Sequence, residues 1–177
     1  KETEKHYFEA FRVPMDVKDL KVVGLGKNTV SLVQEAIKLK DKGDYDQVWV
    51  VFDTEDYNCD QINAAIKLAR KNGIKVAYSN QTFELWFLLH FNYYQNSIDR
   101  AQYKQLLSRE LGFQYEKNAR GLYIKLLNRQ PDAIKNAKRL FANYVPPCPG
   151  NDDPSTTVFQ LVEELNRFSP DARWKKQ

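Results

Sequence analysis

The sequence is poor in the residues that interrupt or staple a chain. It has seven glycines and seven prolines in 177 residues, too few for a disordered or fibrous polymer. It has two cysteines, Cys59 and Cys148, far apart and without a Cys-x-x-Cys or a histidine at zinc spacing. That excludes a disulfide scaffold or a zinc site as the organising principle. No run of eighteen apolar residues is present and no signal peptide is visible, so a cytoplasmic protein without a membrane span is expected. A strong charge of one sign is also missing. The net charge is +4 and the pI about 8.9, which permits a nucleic-acid partner without requiring one.

What the chain does have is aromatic and aliphatic bulk. Ten tyrosines, ten phenylalanines and three tryptophans give 13% aromatics within 42% apolar residues. That suffices for the core of one ordinary domain and leaves rings for the surface, where an amphipathic tyrosine can meet a partner.

Apolar periodicity divides the chain into elements. Thr3 is placed to cap a helix over Glu4–Phe11, stopped by Pro14. Leu20–Leu25 reads as a buried strand. A helix from Asn28 or Thr29 to Lys42 presents Val30, Val33, Ala36 and Ile37, with Gly43 as its stop. Val48–Phe52 is β-branched or aromatic throughout, as expected of a central parallel strand covered on both faces. A helix begins at Asn58 or Asp60 and runs through Ala69 to Asn72-Gly73; a strand follows over Ile74–Tyr78, then an apolar helix over Phe83–Phe91.

This alternation predicts an α/β domain with a mostly parallel sheet, and an opening strand would fit upstream of Lys1. Beyond residue 92 the pattern turns helical, over Ala101–Leu111, Leu122–Asn128, Pro131–Tyr144 and Thr156–Phe168. The chain is therefore read as a single domain, an α/β core over 1–92 with a helical elaboration over 93–177.

Ligands of parallel sheets gather beyond the strands' carboxyl ends. Asp53 stands there, with Glu55 and Asp56 within three positions. Three neighbouring carboxylates repel unless a cation or proton sits among them, and hard oxygens suit Mg²⁺ or Mn²⁺. An acidic run after a strand also serves as a helix cap or a solvated turn. Ser79 and Asn80 end the next strand and share the mouth. Glu84 is either a further ligand or a charge favoured at a helix start. His90, among Leu88, Leu89 and Phe91, reads more readily as a core residue than as a base. Lys117 and Arg120, near Tyr115 and Tyr123, offer a phosphate contact or simply a solvated turn. Gly24-Leu25-Gly26-Lys27-Asn28-Thr29 lacks the spacing of a Walker loop.

Several of these stretches together are familiar. Glu2-Thr3-Glu4-Lys5-His6-Tyr7-Phe8, Val50-Val51-Phe52-Asp53-Thr54-Glu55-Asp56, Ser79-Asn80-Gln81-Thr82-Phe83-Glu84-Leu85-Trp86-Phe87-Leu88-Leu89-His90-Phe91 and Asn151–Thr157 before a Leu/Val helix resemble the RloB-like family, in order along nearly the whole chain. That family is similar to Toprim-fold proteins and to the nuclease domains of the OLD type. The resemblance implies a Toprim-like sheet and Mg²⁺- or Mn²⁺-dependent cleavage of DNA or RNA in bacterial anti-phage defence, sometimes beside an ATPase partner. It matches Asp53 and Glu55 to the Asp-x-Asp/Glu metal pair, with Asp56 assisting, and Glu4 to a second acidic position. The pattern's opening Glu-Gly falls just before Lys1, outside this sequence. Glu84 and His90 match the family's signature; as catalytic candidates they would orient the site or carry a proton. Asn80, Lys117 and Arg120 would contact substrate. Two rivals stand beside this reading: a Toprim-like sensor module without chemistry that signals through an ATPase, and a tRNA-directed ribonuclease.

Overall fold

The computed structural model describes residues 2–12, 22–24, 29–54 and 57–169. Helix α1 (Glu2–Glu9) opens the chain, followed by α2 (Thr29–Lys42), β1 (Trp49–Asp53), α3 (Cys59–Lys71), β2 (Lys75–Asn80) and α4 (Glu84–Leu88). The second half supplies α5 (Arg100–Leu111), α6 (Leu122–Leu126), a 3₁₀ turn over Leu127–Arg129, α7 (Gln130–Phe141), β3 (Ser155–Thr156) and α8 (Val158–Phe168).

The sheet of the described residues has the order β1-β2-β3. Strands β1 and β2 are parallel, with Asp53 opposite Ser79, and β3 runs antiparallel to β2, with Thr156 opposite Ser79. The sheet is thus mixed, not mostly parallel. Strand β1 lies at an edge of the described sheet and β2 takes the centre that the apolar run at Val48–Phe52 suggested. Both strands are nevertheless covered on two faces. Val50, Phe52, Ile74 and Tyr78 join α2 and α3 in one core. Ala77 belongs to a second, with Trp49 and Val51 packed against it. Side chains of a strand alternate between faces, so one apolar run feeds two cores. The larger is built on α4, whose Leu85, Trp86, Phe87 and Leu88 are at most 1% exposed, and on rings from α1, α5 and α6.

Capping explains several boundaries. The Asn58 side chain accepts from Gln61 N at 2.9 Å, while Gln61 Oε1 accepts from Asn58 N at 3.1 Å, a reciprocal box that fixes the start of α3. Asp99 caps α5 by accepting from Ala101 N at 3.1 Å. Gly112, at φ +73°, ends that helix in the left-handed region that glycine enters freely.

Other expectations are corrected. Thr3 lies inside α1 and does not cap it: its hydroxyl donates to Asn118 Oδ1 at 3.2 Å and accepts from Asn118 N at 3.1 Å, docking α1 onto the α5–α6 connector. Of the strand expected over Leu20–Leu25, residues 22–24 are not in a strand and the rest lies outside the described residues, as does Pro14. The helix expected over Phe83–Phe91 is confined to Glu84–Leu88, and the one expected to Tyr144 ends at Phe141. The helix expected from Thr156 begins at Val158 because Ser155 and Thr156 pair with β2. No helix of the described residues is long and apolar enough to cross a membrane.

Candidate functional site

The carboxyl ends of β1 and β2 open onto one mouth, and β3 enters the sheet there. Thr54 N donates to Ser79 O at 3.0 Å, which carries the β1–β2 pairing one residue past Asp53. Ser79 and Thr156 share a hydroxyl–hydroxyl hydrogen bond of 2.9 Å. Asn80 is buried, and its side-chain amide makes a long contact of 3.5 Å to Pro149 O. The connector before β3 also brings in Asp153, whose Oδ2 accepts from Gln81 Nε2 at 3.1 Å and from Ser97 Oγ at 2.6 Å.

Tyrosines from the second half collect the carboxylates. Tyr103, on α5, is 2% exposed. Burial holds its phenol protonated far above the usual range, and the charges of Asp153, Glu84 and Asp53 push in the same direction. One phenol therefore feels three carboxylates carried by β1, α4 and the β3 connector. The Tyr115 phenol is likewise held protonated. Its pKa is raised by burial, then by Glu84, with Glu4 adding a smaller push. Tyr115 donates its hydroxyl to Glu84 Oε1 at 3.0 Å, and Lys117 Nζ approaches the same oxygen at 3.9 Å. Glu84, 5% exposed, is thus a buried carboxylate with a phenol and an ammonium as partners. A buried charge persists only when so compensated.

Glu84 thus meets Tyr115 and Lys117, Asp53 and Asn80 stand at the ends of β1 and β2, and Glu4 is buried on α1. Glu55 and Asp56 lie outside the described residues. Arg120 is exposed on the connector before α6. His90 is placed elsewhere, fully buried beyond the far end of α4. Its Nδ1–H donates to Trp86 O at 2.9 Å and its ring meets Trp86 edge-on at 5.0 Å. Burial lowers its pKa to about 4, and the charged neighbour contributing to that shift is Arg129, not a carboxylate of the mouth.

Asp153, Tyr103 and Tyr115 were not singled out as site residues from sequence. Asp153 sits in a Pro-containing connector and Tyr103 in a helix of ordinary amphipathic spacing. Only the folding of the second half over the strand ends gives them a role.

Oxygen atoms predominate among the polar groups at the strand ends. Besides the carboxylates, buried oxygens near the strand ends have no hydrogen-bond partner among the described residues: Thr54 Oγ1, Thr82 Oγ1 and Asp153 Oδ1. Buried polar atoms are rarely left so, and a cluster of them suits an oxygen-seeking ligand. Among the described residues, however, no three acidic, histidine or cysteine side chains lie close enough to enclose an ion. The described carboxylates would supply only part of a shell.

No curated protein and no solved structure matches the chain. The family model described as RloB-like protein matches residues 1–165. Those residues hold every element from α1 to β3 and most of α8, the candidate site included, and the chain belongs to the RloB-like protein family.

Proposed function

We propose that this chain is a metal-dependent hydrolase of nucleic-acid phosphodiesters, DNA or RNA, on a Toprim-like sheet, acting in bacterial anti-phage defence. The observation that carries the reading is Asp53 at the carboxyl end of the parallel pair, opposite Ser79, with the buried Asn80 and Glu84 following Ser79 in the chain. Sites of open α/β sheets lie at that end.

In this proposal Asp53 holds Mg²⁺ or Mn²⁺ together with Glu55 and Asp56, its neighbours in sequence. The ion, when bound, would polarise the phosphodiester and lower the pKa of an attacking water. Glu84 orients the site from behind, its charge fixed by Tyr115. Lys117, exposed beside Glu84, steadies a substrate phosphate. Glu4 adds negative field through Tyr115. Asn80 and the exposed Arg120 contact the strand beyond the scissile bond.

A second reading is a sensor module that keeps the fold without the chemistry and signals to an ATPase partner. One observation favours it: Glu84 is already engaged by Tyr115 and Lys117, so it is not free to ligate.

Titration calorimetry with Mg²⁺ and Mn²⁺ on the wild type and Asp53→Asn separates the two. Binding lost in the variant, with cleavage of labelled strands lost alongside it, supports the hydrolase. Equal binding by both proteins removes Asp53 from the site. Binding by neither favours the sensor.

A further inference from the structure

Away from the mouth, cations and rings are paired along the helical half. Arg129 lies over the Phe91 ring, 5.2 Å from its centroid, and Arg139 over Tyr93 at 4.0 Å. Lys125, one turn before Arg129, lies over Phe113 at 4.9 Å. All three cations are exposed and the three rings are half-buried or exposed. Asn143 Nδ2 donates to the Tyr93 hydroxyl at 2.9 Å and Asn136 Nδ2 to Leu89 O at 2.9 Å, so α7 and the turn after it hold the 89–93 segment in place.

Several cations of this half are already engaged by acids. Lys104, Arg109, Lys138 and Arg167 each pair with a carboxylate within 3.1 Å. Lys125, Arg129 and Arg139 have no carboxylate partner among the described residues. The nearby acids are accounted for: Glu110 holds Arg109, and Asp132 sits in the first turn of α7, where a negative charge is favoured. A guanidinium already seated on a ring has lost part of its rotamer freedom. Its outer plane can stack on a base while its N–H edge bonds a phosphate.

We propose that Lys125, Arg129 and Arg139, seated on Phe113, Phe91 and Tyr93, form a track that binds the backbone of a single-stranded nucleic acid. Phe91 lies seven residues beyond Glu84 along α4 and its continuation, about 10 Å at a helical rise. A strand held on the track can therefore reach the mouth. The inference goes beyond the proposed hydrolase, because binding here needs neither metal nor cleavage.

Fluorescence anisotropy tests it, with labelled 20-nucleotide DNA and RNA strands in EDTA. The wild type should bind at least one of them. Arg129→Gln/Arg139→Gln should bind at least tenfold more weakly, with the slope of log affinity against log salt reduced by about 1.4, two phosphates at about 0.7 each. Arg129→Lys/Arg139→Lys should keep that slope and lose part of the affinity, because an ammonium has no plane to stack; it also reports if the glutamine pair folds poorly. Lys67→Gln, an exposed cation of α3 outside both track and mouth, should bind like the wild type, and because EDTA removes any metal, failure of the hydrolase reading and failure of the track are distinguishable. The proposal is overturned if the wild type binds neither strand, if the glutamine pair binds equally well, or if vesicles containing phosphatidylserine capture the wild type as tightly as the strands do.

Discussion

Single buried polar residues set the character of the mouth. Removing the Tyr115 hydroxyl would leave Glu84 with only the longer Lys117 contact, and an under-compensated buried carboxylate costs about 1–3 kcal/mol. Tyr115→Phe should therefore lower the melting temperature by roughly 2–10 °C. An unchanged melting temperature would show that Glu84 is adequately held by Lys117 and solvent. His90 gives a pH signature. Its folded pKa, about 4, lies below the unfolded value of about 6.5, so the unfolded chain takes up a proton first on acidification. The stability held above pH 6.5 is lost as pH falls toward 4, by about 1.4 kcal/mol at pH 5.5. Comparing melts at pH 7.5 and 5.5 for wild type and His90→Phe checks this; parallel slopes would mean His90 titrates normally.

Among the elements, α4 is short and wholly enclosed. Its Trp86 is 0% exposed and packs beside His90. Trp86→Ala should cost roughly 3–5 kcal/mol in a far-ultraviolet denaturant titration. A cost below about 1 kcal/mol would mean that the neighbouring rings collapse into the space. The sequence made this helix legible as apolar but overstated its length, since its apolar run continues into the turn at Leu89–Phe91. Capped helices were read more closely: Asn58 and Gly43 mark real ends because local side-chain and backbone chemistry decides them. Strand β3 was illegible. Two residues carry no period, and Ser155-Thr156 looks like a helix start until β2 is there to pair with it.

At the scale of the molecule, the alternation of the first ninety residues reported the α/β class, because apolar runs and caps are local signals. It did not report how many strands pair or which is central, since that depends on segments far apart in sequence. The site was legible to the same degree. Asp53 and Glu84 follow from strand ends and an apolar signature. Asp153, Tyr103 and Tyr115 reach the mouth only through contacts spanning twenty to a hundred residues, which leave no periodic trace.

The placement of β3 also bears on how the chain is made. Strand β2 is finished at residue 80, but its antiparallel neighbour lies at residues 155–156 and the helix that covers it ends at residue 168. Until that stretch has emerged from the ribosome, Ala77, Leu85 and Trp86 lack their later partners, and the nascent chain shows an apolar face with an open strand edge beside it. Residues 1–92 expressed alone should therefore aggregate or be held by chaperones, whereas a monodisperse, cooperatively melting fragment would mean that the first half closes its core without the second.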